Sequence, residues 1–289
     1  SRLTGDQTFG KVAKLSTRAL FGRRSQLDLL GKHIDVKSGS WTETLSGIGS
    51  NSDSIYEYLI KHHALFQEDE DFFTMFDVMH SGIYRNGKLG DWYPDVPMSN
   101  GLTHPNSVFE SLAAFYPGMQ ILLGELNPAA RSTNAFTLAR EAVKFLPERF
   151  DFSQFEAASN HKTYPLRPEL YESNYFLHLA TKDLGLGKST SGWLWNVDFF
   201  LHAVEETART ECGYGVVKGV SSKDTKLHLG DEMPSFFLSE TLKYFYLTFD
   251  DMNPINTDKE RNWIFTTEAH PIHSVSPISS KRNKSSNKR

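Results

Sequence analysis

Residues 52–84 read "SDSIYEYLIKHHALFQEDEDFFTMFDVMHSGIY", and the spacing of their apolar side chains predicts two helices folded back on each other. Tyr56, Leu59, Ile60 and His63 recur three and four residues apart, so they share one helical face. An acidic turn over residues 68–71 follows, and Phe72, Phe73, Phe76 and Met79 then mark a second helix. The unit is a helical hairpin, and the rest of the chain repeats it.

"HPNSVFESLAAFYPGMQILLGELNPAARSTNAFTLAREAVKFL" has the same plan, with Asn106-Ser107 as the expected cap of its first helix and a turn over residues 124–128. "RPELYESNYFLHLATKDLGLGKSTSGWLWNVDFFLHAVEETAR" is a third hairpin. "MPSFFLSETLKYFYLTFDDMNP" supplies one more first helix, with Pro234 near its start, where proline is tolerated. The four first helices start near residues 53, 106, 168 and 234, a wider spacing than common solenoid repeats show. Long segments separate them: "HIDVKSGSWTE" around Gly39 and "GYGVVKGVSSKDTKLHLG" around Ser221 read as β-ribbons or irregular excursions, and "YPDVPMSNGLTHP" as a proline-rich loop. These joints suit a closed ring of hairpins with one decorated face better than a solenoid, and loops of this length tend to carry function.

Composition narrows the class. The 289 residues are 39% hydrophobic and 13% aromatic, enough for a substantial core. Charge is nearly balanced, 31 Lys+Arg against 35 Asp+Glu, so nothing in it argues for a nucleic-acid-binding surface as a whole. Residues 274–289, "SVSPISSKRNKSSNKR", hold no acidic and almost no apolar side chains; they read as a basic disordered tail, with a targeting or partner-binding role as the alternative. No run of apolar residues is long enough to span a bilayer. The single cysteine, Cys212, has no partner for an internal disulfide. An inert buried thiol is the plainer reading, a reactive or intermolecularly paired one the alternative.

Polar residues gather at the starts of the first helices: Asp53 and Ser54; Glu110 and Ser111; Arg167, Glu169 and Glu172; Phe236, Ser239 and Glu240. Each alone is accounted for by helix capping and the helix dipole, but a ring of hairpins brings them to one mouth. Glu169 and Glu172 project from one face, and Arg167 just upstream can fork onto a carboxylate or a polyol. Phe236 and Phe237 are either core or an apolar plate for a sugar ring. Separated carboxylates around a mouth suit inverting glycoside hydrolysis, in which one protonates the leaving oxygen and the other activates water.

Six stretches, "GIGSNSDSIYEYLIK", "SLAAFYPGMQILLGE", "YPLRPELYES", "ECGYGVVK", "MPSFFLSETLKYFYLTFDD" and "IFTTEAHPI", together resemble glycoside hydrolase family 47, the class I α-1,2-mannosidases, and within it the ER degradation-enhancing branch. The resemblance runs from residue 1 to about 273. It implies an all-α fold, the C-terminal part of an (α/α)7 barrel (residues 1–273), whose pocket is plugged by a β-hairpin ending in "WIFTTEAHPIH". It implies catalytic carboxylates at Asp53 and Glu169, the latter as base, and substrate-pocket residues at Arg167, Glu172, Phe236, Glu240 and Glu110. It further implies calcium held at Thr267 with Glu268 beside it, a calcium-dependent α-1,2-mannosidase acting on high-mannose N-glycans of misfolded glycoproteins, and residence in the ER lumen. An ER oxidoreductase is a further partner it allows. A catalytically incomplete, lectin-like glycan binder of the same fold is the alternative.

Three departures from the family pattern stand out. Asn51 and Ser111 replace an arginine and a histidine of the processing mannosidases, and both favour the degradation-enhancing branch. Only three complete hairpins are countable against the family's seven, so the chain reads as an N-terminally truncated barrel. The family's general acid, a glutamate on an earlier inner helix, then has no counterpart here.

Overall fold

The structure is a computed structural model that describes the whole chain except residues 2, 68, 104–105, 224–225, 259–262 and 274–289; of residue 189 only the backbone is described. The expected basic tail therefore lies outside the described residues.

Nine α-helices are present among the described residues: α1 (Gln7–Phe21), α2 (Asp53–Leu65), α3 (Glu70–Asn86), α4 (Tyr116–Leu122), α5 (Leu126–Val143), α6 (Glu169–Asp183), α7 (Gly187–Ala208), α8 (Leu242–Phe249) and α9 (Pro254–Thr257). The expected hairpins are α2/α3, α4/α5 and α6/α7, the two helices of each packed against one another. Their first members, with α8, form a continuous inner row: α2 lies on α4, α4 on α6, and α6 on α8. Apolar periodicity explains the pairing. Tyr56, Leu59 and Ile60 of α2 are buried against Phe72, Phe76 and Met79 of α3, as the spacing requires. Phe73 departs from the expected face and is 39% exposed, while Met75 is buried in its stead.

The core behind the inner row is aromatic. Trp92 stacks on Phe109 at 4.9 Å and on Phe152 at 5.5 Å, and Tyr171 stacks on Phe200 at 4.1 Å. Such offset contacts add to the area these rings remove from water. Arg140 of α5 is almost fully buried, its guanidinium 4.9 Å from the Phe199 ring centroid.

Short strands fill the connections. Residues 33–34 pair with 41–43, and 217–218 lie between 228–229 and 163–164, so both expected ribbons are formed. The second first-helix begins later than its sequence suggests. Asn106 does not cap a helix; its side chain accepts the Val108 N–H, and Val108–Glu110 pairs as a strand with Arg149–Asp151. A β-branched and an aromatic residue take up strand pairing there, and the helical path starts at Ser111 with a 3-10 turn that runs into α4.

Cys212, expected buried, is exposed. It sits in the tight connection between Arg209–Thr210 and Gly213–Tyr214, where a two-residue turn leaves its side chain no core to enter. The α1 helix has no buried residue, and its Phe9, Val12 and Leu15 are exposed.

The last described element is the expected hairpin, with one difference. Trp263–Phe265 is its first strand, and Pro271–His273 returns antiparallel to it instead of leading straight out. A compact turn joins them: Thr266 N–H donates to His270 O at 2.9 Å, Ala269 N–H donates to Thr266 O at 2.9 Å, and Ala269 takes φ +52. The hairpin packs against α2, which carries its turn to the pocket.

Candidate active site

Both expected catalytic carboxylates occupy the first position of an inner helix, Asp53 on α2 and Glu169 on α6. Each is delivered by a left-handed residue just upstream, Asn51 at φ +66 and Leu166 at φ +64. Asparagine adopts that conformation readily, whereas leucine pays about 1–2 kcal/mol for it. The surroundings hold Leu166 in place: its side chain is fully buried and its carbonyl accepts a hydrogen bond from the buried Thr241 hydroxyl at 2.7 Å.

The inner-helix starts and the hairpin turn meet around one cavity of about 190 Å³. Asp53, Glu57, Arg167, Glu169, Glu172, Phe236, Glu240, Thr267 and Glu268 line it, with Leu112, Phe115 and Pro168 as its apolar wall. The structure thus brings together eight of the nine expected site residues from four separated segments. The ninth, Glu110, is not part of the lining. Its carboxylate instead accepts the Ser50 N–H at 2.8 Å and Arg149 Nη2 at 2.7 Å, behind the loop that leads into α2. Phe236 faces the cavity, but Phe237 is core, fully buried with its ring 4.8 Å from that of Tyr214.

The pocket's electrostatics are dominated by crowded acid groups. Burial pushes the Glu169 carboxyl up to about 8, against the lowering influence of Arg167, whose Nη1 lies 3.7 Å from Glu169 Oε1. The other oxygen, Oε2, is buried with no hydrogen-bond partner. Burial also raises Glu172 to about 7, offset chiefly by Lys61, while Tyr244 OH donates to its Oε1 at 3.2 Å. Glu240 is pushed up to about 9 by burial and then by the charges of Glu169, Glu268 and Glu172. Burial raises Asp53 as well, although the Ser54 N–H donates to its Oδ1 at 2.7 Å.

Arg167 is held in a fixed orientation. Its Nε and Nη2 donate to the two oxygens of Glu148, both at 2.8 Å, and its guanidinium carbon lies 5.5 Å from the Phe236 ring centroid. Bidentate pairing of this kind fixes direction as well as distance. Ser111 Oγ donates to the same Glu148 at 3.1 Å.

Two acidic residues of the site escaped the reading of the sequence, one in the lining and one that holds Arg167. Glu57 stands four residues after Asp53 on the same helical face, a spacing that does point to it; it is buried and paired with Lys61. Glu148 lies 19 residues before Arg167 in an irregular segment, where no periodic signal marks it.

The model of glycosyl hydrolase family 47 matches residues 1–274. The chain belongs to glycosyl hydrolase family 47. Alpha-mannosidase I MNS4 of Arabidopsis thaliana is 39% identical over 287 residues, covering 96% of this chain and 43% of that protein. The human ER degradation-enhancing alpha-mannosidase-like protein 2 is 36% identical over 291 residues, covering 94% of this chain and 48% of its own length. The chain therefore spans under half the length of these curated relatives. Among solved structures, an alpha-1,2-mannosidase from Trichoderma reesei superposes with a TM-score of 0.72 at 21% identity, over 95% of this chain and 63% of that one. This family 47 chain thus has the (α/α)7-barrel fold over the part of it that the chain spans. No helix among its described residues is long and apolar enough to cross a membrane.

Proposed function

We propose that this family 47 chain carries the substrate pocket of a calcium-dependent, inverting α-1,2-mannosidase that acts on high-mannose N-glycans of misfolded glycoproteins in the ER lumen. The observation that supports it most is Glu169: a buried carboxylate with one unpartnered oxygen, in a cavity that also gathers Asp53, Arg167, Phe236 and Thr267. A base needs such a free lone pair within reach of a water.

In this reading the Glu169 carboxylate, in its ionised form, takes a proton from water while the water oxygen attacks the anomeric carbon. The bond to the leaving oxygen breaks, and that oxygen requires a proton from an acid; none of the pocket residues is assigned this part. Asp53 is the second catalytic carboxylate, facing Glu169 from α2. Arg167, clamped by Glu148, orients sugar hydroxyls, and the Phe236 ring supplies the apolar face on which a pyranose rests.

The pocket's donors suit calcium. They are all oxygen, as a hard cation requires, and Glu240, raised first by burial, is raised further by the neighbouring charges of Glu169, Glu268 and Glu172, which a divalent ion would offset. Among the described residues no three or more His, Cys, Asp or Glu side chains stand in ligating geometry. Thr267 would hold the ion through its own oxygens, with Glu268 and the other carboxylates reaching it through water. When bound, the ion would supply positive charge that orients substrate hydroxyls. Nothing in the site or in the relatives' names supports the oxidoreductase partner.

The test is incubation of the full chain with a high-mannose oligosaccharide, with calcium and with a chelator, following mannose release and binding together. Release that depends on calcium and is abolished by Glu169→Gln, with binding retained, is the expected result. Binding without release by the unaltered chain would replace the hydrolase reading with the lectin-like one, and absence of both would sink the two together. Thr267→Ala should weaken calcium affinity in calorimetry.

A further inference from the structure

Glu110 has a role that its absence from the pocket makes visible. It belongs to a network of four charged side chains from four separate segments: Lys32, Asp95, Glu110 and Arg149. Lys32 is the hub, with only 4% of its side chain exposed; its Nζ lies 2.5 Å from Asp95 Oδ2 and 3.5 Å from Glu110 Oε2. Arg149 Nη2 takes the other Glu110 oxygen at 2.7 Å.

Both carboxylates press on the loop that precedes α2. A Cβ on Gly47 would fall 2.1 Å from Asp95 Oδ1, and one on Gly49 2.8 Å from Glu110 Oε2, so each glycine is there to let a carboxylate approach the backbone. Glu110 Oε2 also accepts the Ser50 N–H at 2.8 Å. From Ser50 the connection to the pocket is short: Ser52 and Asp53 both donate their N–H to Gly49 O, at 3.0 and 2.9 Å, and Asn51 between them is left-handed. Burial works against ionising Glu110, but Lys32, the Ser50 N–H and Arg149 together hold its carboxyl below its ordinary value. The network is therefore a charged brace against a glycine-bearing stretch of backbone.

Stability alone is a poor reason for such a brace. A buried ion network gains little over apolar side chains of the same volume, because desolvation consumes most of the attraction. What it supplies here is position, since it grips a glycine-bearing loop three residues before Asp53.

We propose that Lys32 is a positioning residue for the pocket: by holding Asp95 and Glu110 against Gly47 and Gly49 it fixes the 47–52 loop and, through it, the place of Asp53. This rests on the reading of Asp53 as a pocket carboxylate, and the test separates the two. Amide hydrogen exchange of the full chain is compared for the unaltered protein, Lys32→Met and Glu110→Gln, beside calorimetry with a high-mannose oligosaccharide. Exchange at residues 50–53 should quicken about tenfold in both variants, the change expected from losing roughly 1.4 kcal/mol of local restraint, while α5 and α6 keep their protection. Sugar affinity should fall in step.

Unchanged exchange at residues 50–53 in both variants would overturn the proposal, and so would quickening spread evenly over all helices, which marks general destabilisation. Should Lys32→Met fail to fold, Glu110→Gln carries the same comparison, since it keeps the side chain's size and removes its charge. A protein that binds no sugar at all would count against the proposed function and leave the exchange comparison to decide the brace.

Discussion

The Tyr58 hydroxyl of α2 accepts the backbone N–H of Thr267 at 3.1 Å, across 209 residues of sequence. From the other side of the turn, Lys243 Nζ donates to Ala269 O at 2.8 Å. Two inner helices thus fasten the hairpin turn by its backbone and leave the Thr267 and Glu268 side chains free for the pocket. Tyr58→Phe removes one of these ties, worth about 0.5–1.5 kcal/mol, and should weaken calcium affinity roughly three- to tenfold. Faster exchange of the Thr267 amide would show the same loss without any ion. Equal exchange in the two proteins would exclude the tie.

Thr241→Val should destabilise the protein by about 1–3 kcal/mol, because it leaves the buried Leu166 carbonyl without its donor. The same change frees a strained left-handed residue next to Arg167. Denaturant unfolding measures the first effect, and a loss of sugar affinity larger than that of other core variants measures the second.

Glu169 makes stability depend on pH in a stated direction. Its folded value, about 8, lies above the ordinary 4.5, so the folded chain keeps a proton that the unfolded chain gives up. Its stabilising contribution is complete below about 4.5 and declines as pH rises toward 8. Glu169→Gln should therefore melt higher than the unaltered protein at pH 8 in calcium-free buffer, by roughly 2–4 °C or more. The difference should shrink as the pH approaches 4.5. A variant that melts lower at pH 8 would contradict the burial of this charge.

His80 works in the opposite sense. Its ring is buried in a network in which Nδ1 meets Tyr116 OH at 2.6 Å and Nε2 meets Glu125 at 3.3 Å, with Tyr84 OH donating to the same Glu125 at 3.0 Å. Burial lowers its value below 6.5, outweighing Glu125. The unfolded chain therefore protonates first, and stability drops as pH falls from about 6.5 through the folded value. Thermal melting at pH 7.5 and 5.5 should show a steeper loss for the unaltered protein than for His80→Gln. Equal losses would mean the ring is not held neutral.

Local pattern and motif made most of the inner row legible. Tyr56, Leu59 and Ile60 announce α2 by spacing alone, and "YPLRPELYES" places Arg167, Glu169 and Glu172 where the structure has them. What stayed hidden depends on partners distant in sequence. Val108 and Phe109 become a strand only because residues 149–151 are there to pair with them. Glu110 reads like the other helix-start acids, and only the approach of Lys32 and Arg149 draws it behind the loop. Tyr58 carries no mark of its role, since its partner is a backbone amide in the last hairpin. Phe236 and Phe237 are chemically identical neighbours; the turn of the helix alone decides that one lines the cavity and the other fills the core.

That turn is a π-helical one, Phe237–Thr241, set directly before α8. A π turn holds one residue more than the α-helical path would use, and each residue advances an α-helix by about 100°. Phe236 and Glu240, four residues apart, line the cavity together; what the extra residue sets is the register between that face and Tyr244 and Leu247, which lie in the core beyond it. In evolutionary terms the shortest route from this pocket to a different one is a length change: a one-residue deletion here would leave α8 packed as it is and turn the cavity-lining side chains before it.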